Sequence, residues 1–460
     1  MTTPQELAER TLALAVADGC IAIVDETTSA NLRWANNTLT TNGMTHDRRL
    51  TVIVTVNGAI GTAAGVLSRS GVTPESLVTL VRAAERTARQ SVPAEDAQPL
   101  IPPYPDSTWD APPAETSIQV FESFAPALGE AFRRARAEDH LLFGYASHEM
   151  RSTYVASSTG LRLHHDQPTG YAEINGKSAD LTRSAWVGAP TTDFSDLDVA
   201  ALDADLVTRL GWASRKVDLP AGRYETIVPP GAVADLMLDV YWSADARDAH
   251  DGRTVFSKPG GGTRVGDRLT DVALTLRSDP AEGGIAAAPF VIAHTSDARQ
   301  SVFDNGLALE PTRWIDNGVL SALVQTRYSA QLTGLPVTPA VDNLVLEGPA
   351  GGRSLSEMVA DTERGLLLTC LWYIRVVDPQ TLLVTGLTRD GVYSVEHGEV
   401  VGAVNNFRFN ESPVDLLRRA SEVGASQRTL PRESTDYFTR LKMPPLRIPD
   451  FNMSSVSPAS

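Results

Sequence analysis

Pro229–Lys258, PPGAVADLMLDVYWSADARDAHDGRTVFSK, organises the second half of the chain. Val233, Leu236, Met237, Val240, Tyr241 and Ala244 recur at spacings of three and four, which predicts a core-packed helix over 231–249 leading into a strand at 254–257. Asp235 and Asp239 share another face of that helix. A carboxylate pair at i and i+4 can hold a cation or share a proton. Acidic side chains near a helix N-terminus are more commonly solvated, and that is the reading adopted for this pair. The helix contains neither His nor Glu, and its nearest imidazole, His250, stands past its far end.

Upstream, Thr3–Asp18 has helical spacing, and the segments 20–25, 31–34 and 50–56 have the composition of short strands. Asn57-Gly58 predicts a tight type I′ hairpin, and Thr73–Gln90 a second helix with Pro74 in its first turn. Seven prolines between Val92 and Glu115 exclude helix or central strand and mark a linker or long surface excursion. Beyond it come a helix over 118–136, strands at 141–145, 152–157 and 161–165, an Asn175-Gly176 step joining two more strands, and a helix over 199–210. After Ala221 strand signals dominate, with hairpin steps at Asn305-Gly306 and Asn317-Gly318. The expectation is an α+β chain whose N-terminal half has two subdomains, 1–92 and 116–220, joined by the Pro-rich linker 93–115. A β-rich C-terminal domain with an extended antiparallel sheet follows over 221–450, then a tail over 451–460.

The 460 residues suffice for two to four domains at the usual ~100 to 200 residues each. A formal charge of −16 repels polyanions and argues against nucleic acid as a partner. Cys20 and Cys370 are too few for a disulfide framework and suit a reducing compartment. The N-terminal helix carries Glu and Arg within its apolar stretch, unlike a signal peptide, and no run approaches the ~20 apolar residues of a membrane span. A cytoplasmic protein without membrane association is expected.

The C-terminal landmarks are VFSK at 255–258, Phe303-Asp304-Asn305-Gly306-Leu307, WIDNGVL at 314–320, NLVLEGPAGGRSLSEM at 343–358, GLLLTCLWYIRVVDPQTLLVTG at 365–386 and RDGVYSVEHGEVVGAVNNFRFNES at 389–412. In this order they resemble the TldD/PmbA family, and the N-terminal pattern agrees over nearly the whole chain. The resemblance implies a two-component zinc peptidase that degrades linear peptides in an enclosed cavity. A TldD-type subunit carries zinc on HExxxH plus a later cysteine, whereas a TldE/PmbA-type subunit lacks them. The helix at 231–249 stands where HExxxH would be, and 420–440 contains no Cys. The resemblance therefore implies a non-catalytic TldE/PmbA-like chain with no catalytic or metal residues of its own. Zinc is expected in a TldD-like partner, and peptides are the expected substrates.

Within the same resemblance, Thr385-Gly386-Leu387-Thr388-Arg389-Asp390-Gly391 is similar to the family's TGD-x-S-x-G-type run, with Leu387 at the acidic place. It implies peptide-cleft contacts from Thr385, Gly386, Arg389, Asp390 and Gly391. Independently of family, His164-His165-Asp166 offers an HxD opening for a non-haem metal site with His294 or His397 as third ligand. Strand alternation lets only His164 and Asp166 cooperate. A stand-alone metal-dependent enzyme is thus one alternative, and a non-enzymatic regulatory binding protein another. His148-Glu149 lacks a second His at zinc-peptidase spacing. Gly260-Gly261-Gly262 with Gly266 lacks the Lys-Ser/Thr of a phosphate loop and is read as a flexible turn.

Overall fold

The computed structural model describes residues 2–458. Strands β1 (Gly19–Ala35), β2 (Thr38–Gly58), β3 (Gly61–Ser70), β4 (His140–Ser157), β5 (Arg162–Ser178) and β6 (Ser184–Thr191) form one antiparallel sheet in the order β3-β2-β1-β4-β5-β6. Helices α1 (Pro4–Leu14), α2 (Pro74–Gln90), α3 (Phe124–Ala137) and α4 (Val199–Trp212) pack on it. The stretches 1–92 and 116–220 thus share a sheet: β1 pairs with β4 from Ile21 opposite Ser157 to Trp34 opposite Gly144. Both edges of β1 carry backbone groups that need partners, and β2 and β4 supply them. The Pro-rich stretch 93–115 forms no helix or strand and folds back over the sheet. There Trp109 meets Tyr154 edge-on, and the Tyr154 hydroxyl donates to the Ala111 carbonyl.

Alternation along β1 explains why it is apolar on both faces. Cys20, Ala22 and Val24 pack under α1 and α2, whereas Ile21 and Ile23 pack against Phe290, Val302 and Phe303 of the C-terminal half. Farther along, Ala30, Leu32 and Trp34 join α3 and α4. Each fully buried aliphatic side chain contributes about 1.5–3 kcal/mol. The helices therefore cover one face of the sheet, and the C-terminal half covers part of the other.

The Asn-Gly expectations divide. Asn317 and Gly318 take positive φ and close the hairpin between Thr312–Asp316 and Val319–Leu320 as predicted. The β2–β3 hairpin turns instead at 59–60, with Asn57 opposite Thr62 inside the ladder. Asn175-Gly176 is no turn at all but lies within β5. A Cβ on Gly176 would stand 2.8 Å from Leu206 Cδ2, so this glycine admits α4 close to the sheet.

The C-terminal half begins with β7 (Lys216–Val217) and β8 (Gly222–Val228), followed by α5 (Pro230–Trp242) and α6 (Ala246–His250). The predicted helix over 231–249 is thus two helices, broken after Ser243, where Asp245 caps the second by accepting from the Asp248 amide. The strand expected at 254–257 is a turn with a single bridge from Ser257 to Thr263. One mostly antiparallel sheet runs from an edge at Trp372–Asp378 through Leu383–Leu387, Phe407–Glu411, Leu446–Val456 and β8, then through Arg364–Leu368, Val392–Glu396 and Glu399–Val404 to β7. Leu446–Val456 carries this sheet past residue 450 into the expected tail, of which 459–460 lie outside the described residues. A further sheet contains Thr275–Ser278, Thr312–Asp316, Leu344–Glu347 and Leu441–Met443. Helix α5 belongs to the core shared by these two sheets: Tyr241 lies 5.3 Å from Trp314, and Leu344, Leu366 and Phe407 are part of the same buried cluster.

Candidate functional site

Burial of α5 overturns the solvated reading of its acidic pair. Asp235 is 1 % exposed, and its carboxylate accepts the backbone N–H groups of Arg432, Glu433 and Ser434 at 2.9, 3.0 and 3.1 Å. A carboxylate enclosed between two sheets must find donors, and the crossing segment supplies three. Burial pushes the Asp235 carboxyl up, to about 8, while the three amides pull it back down. Asp239, one turn on, is raised to about 6 by burial and then by the negative charge of Glu433.

The same crossing segment ties the two halves together. Arg432 lies over the rings of Trp372 and Trp186, 3.9 and 5.2 Å from their centroids, with Glu173 of β5 at 3.5 Å. Glu433 accepts the Tyr373 amide and pairs with Arg375 on the edge strand. Nearby Cys370 is wholly enclosed, which raises its thiol to about 12 and leaves it unreactive.

From this anchor, residues 435–440 continue as one wall of a cleft of about 520 Å³. Its floor is the odd-numbered face of β4 and β5, presenting Glu149, Arg151, His165, Gln167, Thr169 and Tyr171. Phe290, His294 and Asp342 complete the far side. Arg151 pairs with Glu149 at 2.9 Å, and Arg440 bonds Asp342 and, at 2.8 Å, the Thr169 hydroxyl. Tyr171 donates its hydroxyl to Asp436 at 3.3 Å. At the other end Asp25 accepts from Thr153 and faces His294 Nε2 at 3.4 Å, while His294 Nδ1 lies 3.0 Å from the Thr51 hydroxyl. This Asp-His-Thr chain has hydrolase elements, but Thr51 is fully buried and no substrate can reach its oxygen.

The HxD pair falls on the opposite face. His164 stacks on Tyr154 at 4.4 Å, bonds Asp166 at 3.0 Å and lies beneath the Pro-rich stretch, whose Asp106 accepts its backbone N–H. His294 is in the cleft on the other side of the sheet, and His397 is an exposed partner of Glu363. The structure therefore does not assemble these groups into a metal triad, and His165 is the histidine that alternation sends into the cleft. His148 is buried between the Thr116 hydroxyl and the Thr192 carbonyl. Gly260, Gly261, Gly262 and Gly266 all take positive φ in an open loop.

Thr385–Gly391 lies at the joint between the halves and lines no part of the 520 Å³ cleft. The Asp390 carboxylate accepts from Ser184 of β6, and Arg389 stands 3.5 Å from Asp390. Thr385 donates to the Phe409 carbonyl, and a Cβ on Gly386 would strike the Phe409 ring at 2.5 Å. Gly391 backs onto Cys370, its carbonyl taking the Thr369 amide. Tyr171, Asp436 and Arg440 escaped the sequence reading. Alternation along β5 was the available signal for Tyr171, whereas 435–440 carries no periodic pattern.

Residues 221–455 match the PmbA/TldA metallopeptidase C-terminal domain and residues 21–88 match PmbA/TldA metallopeptidase domain 1. The chain belongs to the PmbA/TldA metallopeptidase family. Among solved structures it is similar in fold to TldE from Thermococcus kodakarensis, at 17 % identity over 97 % of this chain and 99 % of that one, with a TM-score of 0.79. A candidate DNA gyrase modulator from Thermotoga maritima matches at 16 % identity and a TM-score of 0.75, covering 97 % of this chain and 99 % of its own. Another from Bacteroides thetaiotaomicron matches at the same identity and TM-score, covering 99 % and 100 %. No curated protein sequence matches the chain. Among the described residues no helix is long and apolar enough to cross a membrane.

Proposed function

We propose that this chain is the TldE/PmbA-like, non-catalytic subunit of a cytoplasmic zinc metallopeptidase complex that processes linear peptides, with a TldD-like partner supplying the zinc and the catalytic Glu. The observation that carries the reading is the chemistry of α5. A peptidase zinc requires three protein ligands, normally including imidazoles, and a Glu to take a proton from the bound water. Helix α5 offers two aspartates, one of them already committed to three backbone amides, and 420–440 contains neither Cys nor His. These residues do not fit a zinc ion.

In this reading the helix keeps the family's scaffold, and the carboxylate–amide tie of Asp235 holds the crossing segment in place. The chain contributes a cavity wall and a partner interface. Of Thr385, Gly386, Arg389, Asp390 and Gly391, Arg389 keeps a part-exposed cation at the joint and is the member suited to meet a peptide there. Co-purification from the native cell tests the pairing. A zinc-bearing homologue should be recovered with this chain, and repeated recovery of the chain alone would count against it.

A further inference from the structure

The charges of the cleft do not cancel. Of its four carboxylates, Glu149 is paired with Arg151 and Asp342 with Arg440, which accounts for both guanidinium groups lining it. Burial holds His165 and His294 below the usual imidazole range, so both are neutral at pH 7. Asp25 is buried, bonded to Thr153 and set opposite Arg49 across the β1–β2 ladder. Asp436 remains, at the solvent-facing edge, with the neutral Tyr171 hydroxyl as its partner.

Two tyrosines of the cleft lining, Tyr171 and Tyr437, adjoin Asp436. Tyr171 lies 6.0 Å from Tyr145, and the adjoining Tyr437 is 79 % exposed, a large ring left in water beside a carboxylate. A carboxylate next to an exposed phenol ring offers a cation both its charge and a ring quadrupole. Behind this mouth the cleft turns apolar, with Phe290, Val291, Leu309 and Phe438. A volume of about 520 Å³ lies in the range that receives a small ligand or a few peptide residues.

We infer that the mouth formed by Asp436, Tyr171 and Tyr437 is a subsite for a cationic group of a peptide, a Lys or Arg side chain or a free terminal ammonium, with an apolar neighbour entering the cleft. The inference takes from the proposed function only that the ligand is a peptide. It concerns this chain alone, so its failure would leave the subunit reading standing.

The test is calorimetric titration of the full chain at low salt with three probes: acetyl-Ala-Lys-Ala-amide, Ala-Ala-Ala-amide and acetyl-Ala-norleucine-Ala-amide. The cationic peptides should bind at least about tenfold tighter than the norleucine peptide, and tighter binding of the lysine or of the free-amine probe assigns the source of the cation. Asp436→Asn should abolish the preference without changing the melting temperature, and Tyr437→Ala should weaken it. Equal affinity for the neutral probe, no saturation by any probe, or a preference that survives Asp436→Asn would overturn the inference.

Discussion

At the scale of single residues, Asp235 and Asp239 differ in their partners: three backbone amides meet Asp235, whereas Glu433 repels Asp239. Removing the Asp235 carboxylate leaves three backbone N–H donors without their acceptor in a largely enclosed place, so Asp235→Ala should cost about 2–4 kcal/mol in chemical denaturation. Asp239 is raised to about 6 by burial and by Glu433. A carboxyl whose folded value lies above its unfolded one binds more protons when folded. Its contribution is therefore complete below about pH 4 and is lost as pH rises through about 6 for Asp239 and about 8 for Asp235. Asp239→Asn should raise the melting temperature at pH 7.5 and leave it nearly unchanged at pH 4. A variant whose melting curve tracks the parent at both values would contradict that sign.

At the scale of elements, β5 sends two consecutive histidines to opposite faces. His164→Ala removes a ring stacked on Tyr154 and bonded to Asp166, and should cost about 2–3 kcal/mol. His165→Ala should stay within about 1 kcal/mol of the parent and alter peptide binding in the cleft, because its ring lines that cavity. Urea melts of the two variants distinguish the faces. A larger loss from His165→Ala would reverse the assignment. Alternation made the faces of β5 legible beforehand, and the spacing of Val233, Leu236, Met237 and Val240 made α5 legible as a core helix. Which face of β5 would be covered was not legible. That depends on 106–114 folding back over His164, a contact to which local propensity contributes nothing. The burial of Asp235 was hidden for the same reason, since its nearest donor lies 197 residues away in sequence. Asn175-Gly176 misled because glycine serves both turns and close packing, and here Leu206 decides for packing.

At the scale of the whole molecule, the two halves meet through the segment around Arg432. Its guanidinium bridges Trp186 of the N-terminal sheet and Trp372 of the C-terminal one. Arg432→Ala should lower stability by about 2–3 kcal/mol and broaden thermal unfolding as the halves lose cooperativity, whereas a sharp transition at the parental temperature would show that the joint lies elsewhere. The proposed subunit role belongs to this scale as well, and it rests on an α5 that carries two aspartates and neither His nor Glu. Its most direct test is zinc content and peptidase activity of the purified chain, alone and with a TldD-like partner. Neither stoichiometric zinc nor activity is expected in the isolated chain, and both are expected in the pair. Stoichiometric zinc with peptide cleavage by this chain on its own would contradict it.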